Sequence, residues 1–218
     1  MSRPPDQHKR DKLLDRAASV LARAGVIDTS LRSLATELGT SSRMLVYYFG
    51  TKEQLILKVL AREQQRATIS IDELLTTPGA LRKQLLDDWR SITTGDTRDS
   101  LRILGQVFGA ACGQDSPYAD YTDETLGQLT RTLRDRLIAI GMPTNAAHFR
   151  AEVTIAAIQG LVIKRFTEEN PAQVDATYRQ LVDAFVLAPI RRRRRLTELE
   201  EAWSTETTSK EERQPRLR

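Results

Sequence analysis

The chain has 218 residues, of which 40% are hydrophobic, 28% charged and only 6% aromatic, a balance that fits one large or two small globular domains. Its single cysteine, Cys112, excludes an internal disulfide framework and any multi-cysteine zinc site. No run of 18 apolar residues occurs, and the opening MSRPPDQHKRDK is charged with no apolar stretch behind it. Neither a membrane span nor a signal peptide is therefore expected, and the expected location is the cytoplasm.

The net charge of +4 is unevenly placed. Residues 1–60 hold 10 Lys/Arg against 6 Asp/Glu, residues 61–190 hold 14 against 17, and residues 191–218 hold 9 against 6. A basic N-terminal third on a slightly acidic body is compatible with a nucleic-acid-facing end, and equally with ordinary surface scatter.

Apolar residues recur at helical spacing almost throughout, with no convincing period-2 run, so the fold class is all-α. Leu13, Leu14, Ala17, Ala18 and Leu21 form a first stripe, stopped by Gly25. A short helix is expected over 31–38 with Ser30 as N-cap, then a break at Gly39-Thr40-Ser41 and a third helix over about 42–48, ended by Gly50. Thr51 and Gln54 have the spacing of a capping box and open a longer helix whose inner face is Leu55, Ile56, Val59 and Leu60. Pro78-Gly79 is expected to close that helix and its trailing segment. Later helices are predicted at about 80–93, 98–113, 117–140, 144–168 and 171–187. Ser116-Pro117 and Asn170-Pro171 pair an N-cap residue with Pro at the first helical position, and Gly141 supplies a stop. The tail from Arg191 begins with five consecutive arginines and reads as charged and largely mobile.

Residues 31–49 carry the functional signal. A helix of about two turns, a glycine-containing break and a second short helix have helix-turn-helix spacing, in which the second helix enters the major groove. Leu34, Ala35, Leu38, Leu45 and Phe49 would pack this pair on the first helix. That leaves Ser41, Ser42, Arg43, Met44, Tyr47 and Tyr48 on or near the outer side, where hydroxyls, a guanidinium and phenols suit phosphates and base edges. By pattern alone, a helical hairpin inside an ordinary bundle stays open beside this reading.

The stretch from Thr29 to Leu60, TSLRSLATELGTSSRMLVYYFGTKEQLILKVL, resembles the N-terminal DNA-binding domain of the TetR family of bacterial transcriptional regulators. Thr29, Ser30, Leu34, Ala35, Gly39, Ser41, Leu45, Phe49, Thr51, Lys52, Glu53 and Leu55 match the family pattern. The sequence departs from it with Thr40 for a common Val, Val46 for a common Tyr and Tyr48 for a common His. The resemblance implies base contacts from Ser42, Arg43 and Met44 of a recognition helix and a backbone or base contact from Tyr47. The guanidinium of Arg43 suits guanine O6 and N7, with a phosphate contact as its alternative. It implies phosphate contacts from Ser30, Arg32, Thr40, Ser41, Tyr48 and Lys52. Lys52 also sits at a helix N-terminus, where free amides favour an anion.

The same resemblance divides the chain into a helix-turn-helix domain over 1–62, a helical effector-binding and dimerisation domain over 63–190, and the tail over 191–218. It implies a homodimer on a pseudo-palindromic double-stranded operator, released by a small-molecule effector. The aromatic or polarisable residues Trp89, Leu104, Phe108, Cys112, Tyr118, Tyr121, His148 and Phe166 are candidates for an effector pocket, each with core packing as its alternative. Ala156, Ala157, Gly160 and Ile163 in one late helix, with Leu181, Ala184 and Phe185 in the next, are candidates for the dimer face.

Sharper chemistry finds no constellation. His148 and Glu152 share a helix face without a second usable histidine, so no metal is expected. Cys112 with His148 lacks the setting of a catalytic pair, and Gly105, Gly109 and Gly113 recur inside a helix rather than in a phosphate loop. That glycine spacing points to close helix packing or to a pliable helix. No catalytic residue and no cofactor are expected. One rival to a transcriptional regulator is a dimeric ligand-binding or protein-interaction module that has lost specific DNA reading. Another is a ligand-modifying enzyme on the same helical scaffold, which the missing catalytic constellation speaks against.

Overall fold

The computed structural model describes residues 6–68, 77–94 and 98–188, with 63–68 as helical backbone only. Among these residues the chain is all-α. The helices are α1 (Gln7–Ala24), α2 (Leu31–Glu37), α3 (Ser42–Phe49), α4 (Lys52–Thr68), α5 (Pro78–Thr94), α6 (Arg98–Ala111), α7 (Ala119–Ala139), α8 (Thr144–Thr167) and α9 (Pro171–Gln180). A π-helical segment, Leu181–Leu187, continues α9. The tail expected over 191–218 lies outside the described residues.

Local chemistry sets most boundaries. Asp6 caps α1, accepting from the Lys9 amide, and Gly25 stops it at φ +89° with its N–H donated to the Leu21 carbonyl. Ser30 caps α2 by accepting from the Ser33 amide at 3.0 Å. At Thr51 the capping box is complete: the Gln54 amide donates to Thr51 Oγ1 at 3.2 Å, and the Thr51 amide donates to Gln54 Oε1 at 3.1 Å. Glycine suits position 50 for two reasons. Its φ is +82°, and a Cβ there would collide with Gln54 Oε1, which the capping box holds in place.

Two apolar cores form. The first joins α1–α4 through Leu14, Leu21, Leu34, Leu45, Phe49, Leu55 and their neighbours, and also takes in Ile103 and Val107 of α6 and Tyr118. The second joins α5, α7, α8, α9 and the π segment through Leu81, Trp89, Leu137, Ala147, Tyr178, Val182 and Leu187. Trp89 and Tyr178 stack with ring centroids 4.3 Å apart and planes 12° apart. Their polar edges are satisfied: Trp89 Nε1 donates to Asp175 Oδ1 at 2.8 Å, and the Tyr178 hydroxyl donates to the Leu85 carbonyl. Arg82 grips Asp183 with two hydrogen bonds, at 2.6 and 2.8 Å, fastening α5 to the π segment.

Several expectations are corrected. Pro78 opens α5 instead of closing the preceding helix, because Thr77 Oγ1 accepts from the Ala80 amide as a cap and Pro is tolerated in a first turn. Pro117 lies in a turn before α7, whose N-cap position is Tyr118 with no side-chain cap; the Ser116 hydroxyl accepts from the Tyr118 amide instead. The last helix is not α-helical throughout, since 181–187 widen to π geometry. Gly105 and Gly109 do not mediate close packing, as a Cβ at either would meet nothing within 4 Å. Cys112 lies exposed in the turn after α6. Finally, α8 does reach the length and composition of a membrane-crossing helix, with mean hydropathy 1.2 over 18 residues, 28% of which are buried. Ala147, Ala151 and Thr154 turn one face of α8 inward, while Phe149, Val153 and Ile163 stand exposed on another.

Candidate nucleic-acid interface

The turn between α2 and α3 is built by one glycine. Gly39 takes φ +65°, and its N–H donates to the Thr36 carbonyl while the Thr40 N–H donates to the Ala35 carbonyl. This is the paired pattern of a Schellman stop, which ends α2 and redirects the chain within two residues. Ser41 then caps α3, accepting from the Met44 amide at 3.3 Å. Helix α3 is seated by Leu45 and Phe49, both essentially fully buried. The cations of Arg10 and Lys58 lie 5.9 and 6.0 Å from the centroid of the Phe49 ring, and Lys58 Nζ also donates to the Phe49 carbonyl. A cation at this helix C-terminus is favourable for the dipole as well as for the ring.

With Leu45 and Phe49 inward, Arg43, Val46 and Tyr47 point outward. Val46 is 52% exposed and Tyr47 50% exposed. Both lie three or four positions beyond Arg43, so the three share one face. Arg43 is exposed, and no hydrogen bond or ion pair engages its guanidinium among the described residues. Ser42, Met44 and Tyr48 flank this face half-buried, and Tyr48 packs on the first core with its ring edge against Tyr47 at 5.3 Å. Ser30 and Ser41 commit an acceptor lone pair to their caps and keep a hydroxyl donor. Arg32 is exposed on α2, and Thr40 is half-buried at the turn.

Lys52 has a second occupation that its helix-terminal position did not announce. Its ammonium donates to the carbonyls of Val26 and Ile27, at 3.1 and 3.2 Å, tying the start of α4 to the α1–α2 loop. From the other side, Gln106 Oε1 of α6 accepts from the Val26 amide at 2.6 Å. Val26 is thus held at its C=O by α4 and at its N–H by α6. Sequence reading named neither Gln106 nor Lys58. Gln106 stands out in the sequence only as a polar residue between two glycines of a largely apolar helix segment. That signal is too weak to identify a partner 80 residues away.

The eight effector-pocket candidates separate. Leu104 and Tyr121 pack half-buried on the first core, which contains Tyr118 outright. Trp89 belongs to the second core and Phe166 packs against it. Arg98 and Arg102 lie over the Phe166 ring, 5.8 and 4.9 Å from its centroid. Phe108 is half-buried and its carbonyl accepts from the Cys112 thiol, while Cys112 and His148 are exposed. Burial, reinforced by the charge of Glu53, pushes the Tyr118 phenol up to about 12, and burial raises that of Tyr121 as well. Two hydroxyls, Thr122 Oγ1 and Thr154 Oγ1, are buried without a hydrogen-bond partner among the described residues.

Of the dimer-face candidates, Ala156, Gly160, Ile163 and Ala184 are exposed and Ala157, Leu181 and Phe185 half-buried. Ile163 is 60% exposed, and Phe149, which the sequence reading did not single out, is 61% exposed on the same helix. The Phe149 ring meets Phe185 edge-on at 6.5 Å. Among the described residues, no group of three or more His, Cys, Asp or Glu side chains could hold a metal ion.

This arrangement, a short capped helix seated by one aromatic and presented after a glycine stop, defines a helix-turn-helix on a helical body. Residues 13–59 match the family model described as bacterial regulatory proteins, tetR family, so this segment is similar to that family's DNA-binding domain. Solved structures share the fold over most of the chain. A TetR-like transcriptional regulator from Rhodococcus sp. RHA1 matches at TM-score 0.62 and 18% identity, covering 83% of this chain and 96% of that one. A putative transcriptional regulator from Saccharomonospora viridis, in complex with choline, matches at TM-score 0.69 and 22% identity, with coverage of 83% and 96%. AibR, solved with isovaleryl coenzyme A and operator DNA, matches at TM-score 0.59 and 15% identity, with coverage of 79% and 97%. No curated protein matches the chain by sequence.

Proposed function

We propose that this protein is a non-enzymatic, cytoplasmic transcriptional repressor that binds a pseudo-palindromic operator as a homodimer and is released by a small-molecule effector. The observation that carries this reading is the outward face of α3, where Arg43 stands uncommitted among the described residues beside Tyr47, on a helix seated by Phe49. Arg43 reads guanine; Ser42, Met44 and Tyr47 complete the base-facing set; Ser30, Arg32, Thr40, Ser41, Tyr48 and the remaining donor of Lys52 hold phosphates. Residues 1–62 form the reading head and 63–190 the effector-binding and dimerisation body. The apolar stripe of α8, with Ala156, Gly160 and Ile163 exposed, meets its copy across a two-fold axis, joined by Ala184 and Phe185.

The effector occupies the body among α5–α8. Its signal has a physical route, since Gln106 of α6 holds the Val26 amide and Lys52 of α4 holds the adjoining carbonyls. A shift of α6 therefore moves the loop on which α2 and α3 are mounted, and DNA and effector affinities change reciprocally. That one solved relative in fold, AibR, carries both operator DNA and a small molecule supports the same division of labour.

The test is a gel-shift of the full chain against DNA flanking its own gene, with scrambled competitor at near-physiological salt. A discrete complex that survives the competitor is expected. Binding to the flanking DNA and to scrambled DNA with equal affinity, repeated on sequences from a random-library selection, would overturn the proposal.

A further inference from the structure

Val46 is an anomaly on α3. A β-branched residue loses rotamer freedom in a helix and is a poorer helix former than most alternatives. Packing can offset that, but Val46 is 52% exposed, and the inward places of α3 are taken by Leu45 and Phe49. Its backbone carbonyl accepts the N–H of Gly50, which any residue would do. Nothing in the described fold therefore asks for an isopropyl group here.

Its position does. Val46 lies three residues from Arg43 and next to Tyr47 on the face α3 turns outward. In α2 and α3, Val46 and Tyr47 are the only large apolar residues that are exposed. A short aliphatic group with no donor or acceptor has one specific partner in the major groove, the C5-methyl of thymine, which sets T apart from C by an apolar contact. Resting on the DNA-reading role proposed above, we propose that Val46 is a specificity-determining residue. Its two methyl groups pack on a thymine methyl in each half-site, adjacent to the base pair read by Arg43.

Burying one methyl-sized group changes affinity by about fourfold. The experiment selects a half-site from a random-sequence duplex library with the full-length protein. Each thymine in the selected site is then replaced by deoxyuridine, which removes the methyl and leaves the pairing unchanged. One thymine per half-site is expected at which this change weakens wild-type binding by about fourfold. Val46→Ala withdraws the methyls while keeping the helix, with circular dichroism confirming the fold, and is expected to be indifferent to uracil at that same position. Two results overturn the inference alone: a well-defined selected site with wild-type binding indifferent to uracil throughout, or Val46→Ala showing the same uracil sensitivity as wild type. Failure of the selection to converge on any sequence overturns the DNA-reading role, and this inference with it.

Discussion

Arg43 and Lys52 are both cations near the same surface, yet their surroundings assign them different work. Arg43 has no partner among the described residues, so its removal is expected to leave folding intact. Arg43→Ala should lower affinity for the operator while leaving scrambled DNA little changed, a loss of about 1–3 kcal/mol in discrimination. Lys52 clamps two loop carbonyls. Lys52→Ala should therefore destabilise the fold by about 1–3 kcal/mol, lowering the urea midpoint, and weaken binding to all sequences alike. Comparing the two variants by urea titration and by gel-shift on specific and scrambled DNA checks both outcomes. Tyr118 gives a pH signature at the same scale. Its folded-state phenol holds its proton up to about 12, against about 10 for an exposed tyrosine. The contribution is complete below the unfolded value and is lost as pH rises through the folded one. Stability should thus decline between about pH 10 and 12, and Tyr118→Phe should decline less in a denaturant titration across that window.

At the scale of elements, α6 is the connector. Ile103 and Val107 belong to the core shared with α1–α4, while Leu101 packs on the core of α5, α7, α8 and α9. Two glycines inside this helix, Gly105 and Gly109, would accept a Cβ without contact, so they loosen α6 without serving packing. Between them Gln106 accepts from the amide of the buried Val26. Gln106→Ala should leave that amide unsatisfied and cost about 1–3 kcal/mol, whereas Gln106→Glu keeps an acceptor and should cost less. Faster exchange of the Val26 amide proton in the alanine variant alone would identify the lost bond as the cause.

For the whole molecule, the decisive feature is the exposed face of α8. Phe149, Val153 and Ile163 place apolar surface outward over several turns, and α8 owes its membrane-like hydropathy to having apolar residues on two sides. Two copies apposed along this face would bury it. Ile163→Asp changes a residue 60% exposed in the single chain, so the helical content should be unchanged. Light scattering should then show a monomer, and operator binding should fall with the loss of the second reading head. A dimer that persists in Ile163→Asp and in Phe149→Asp would place the contact elsewhere.

Where the cause lies within a few residues, the sequence alone determined most outcomes; Pro78 and Pro117 are the exceptions, since a proline suits a first helical turn and a plain turn alike. Ser30, Ser41, the Thr51–Gln54 box and the glycines at 25, 39, 50 and 141 mark helix ends because caps and left-handed stops are short-range chemistry. The spacing of Leu34, Leu45 and Phe49 marks an inner face because the helical repeat is fixed. The match over 13–59 follows from the same local pattern. What only the tertiary structure decided involves partners distant in the chain or a choice among equivalent faces. Lys52 reaches back 26 residues to a carbonyl, Gln106 reaches 80 residues to an amide, and Trp89 stacks on Tyr178 across the body. The pocket candidates, nearly all apolar or polarisable, divided between two cores and the surface because composition does not say which core a side chain joins. Helix α8 shows the same ambiguity most plainly: both its sides are apolar, and only the packing of α7 and α9 against it settles which one remains outside.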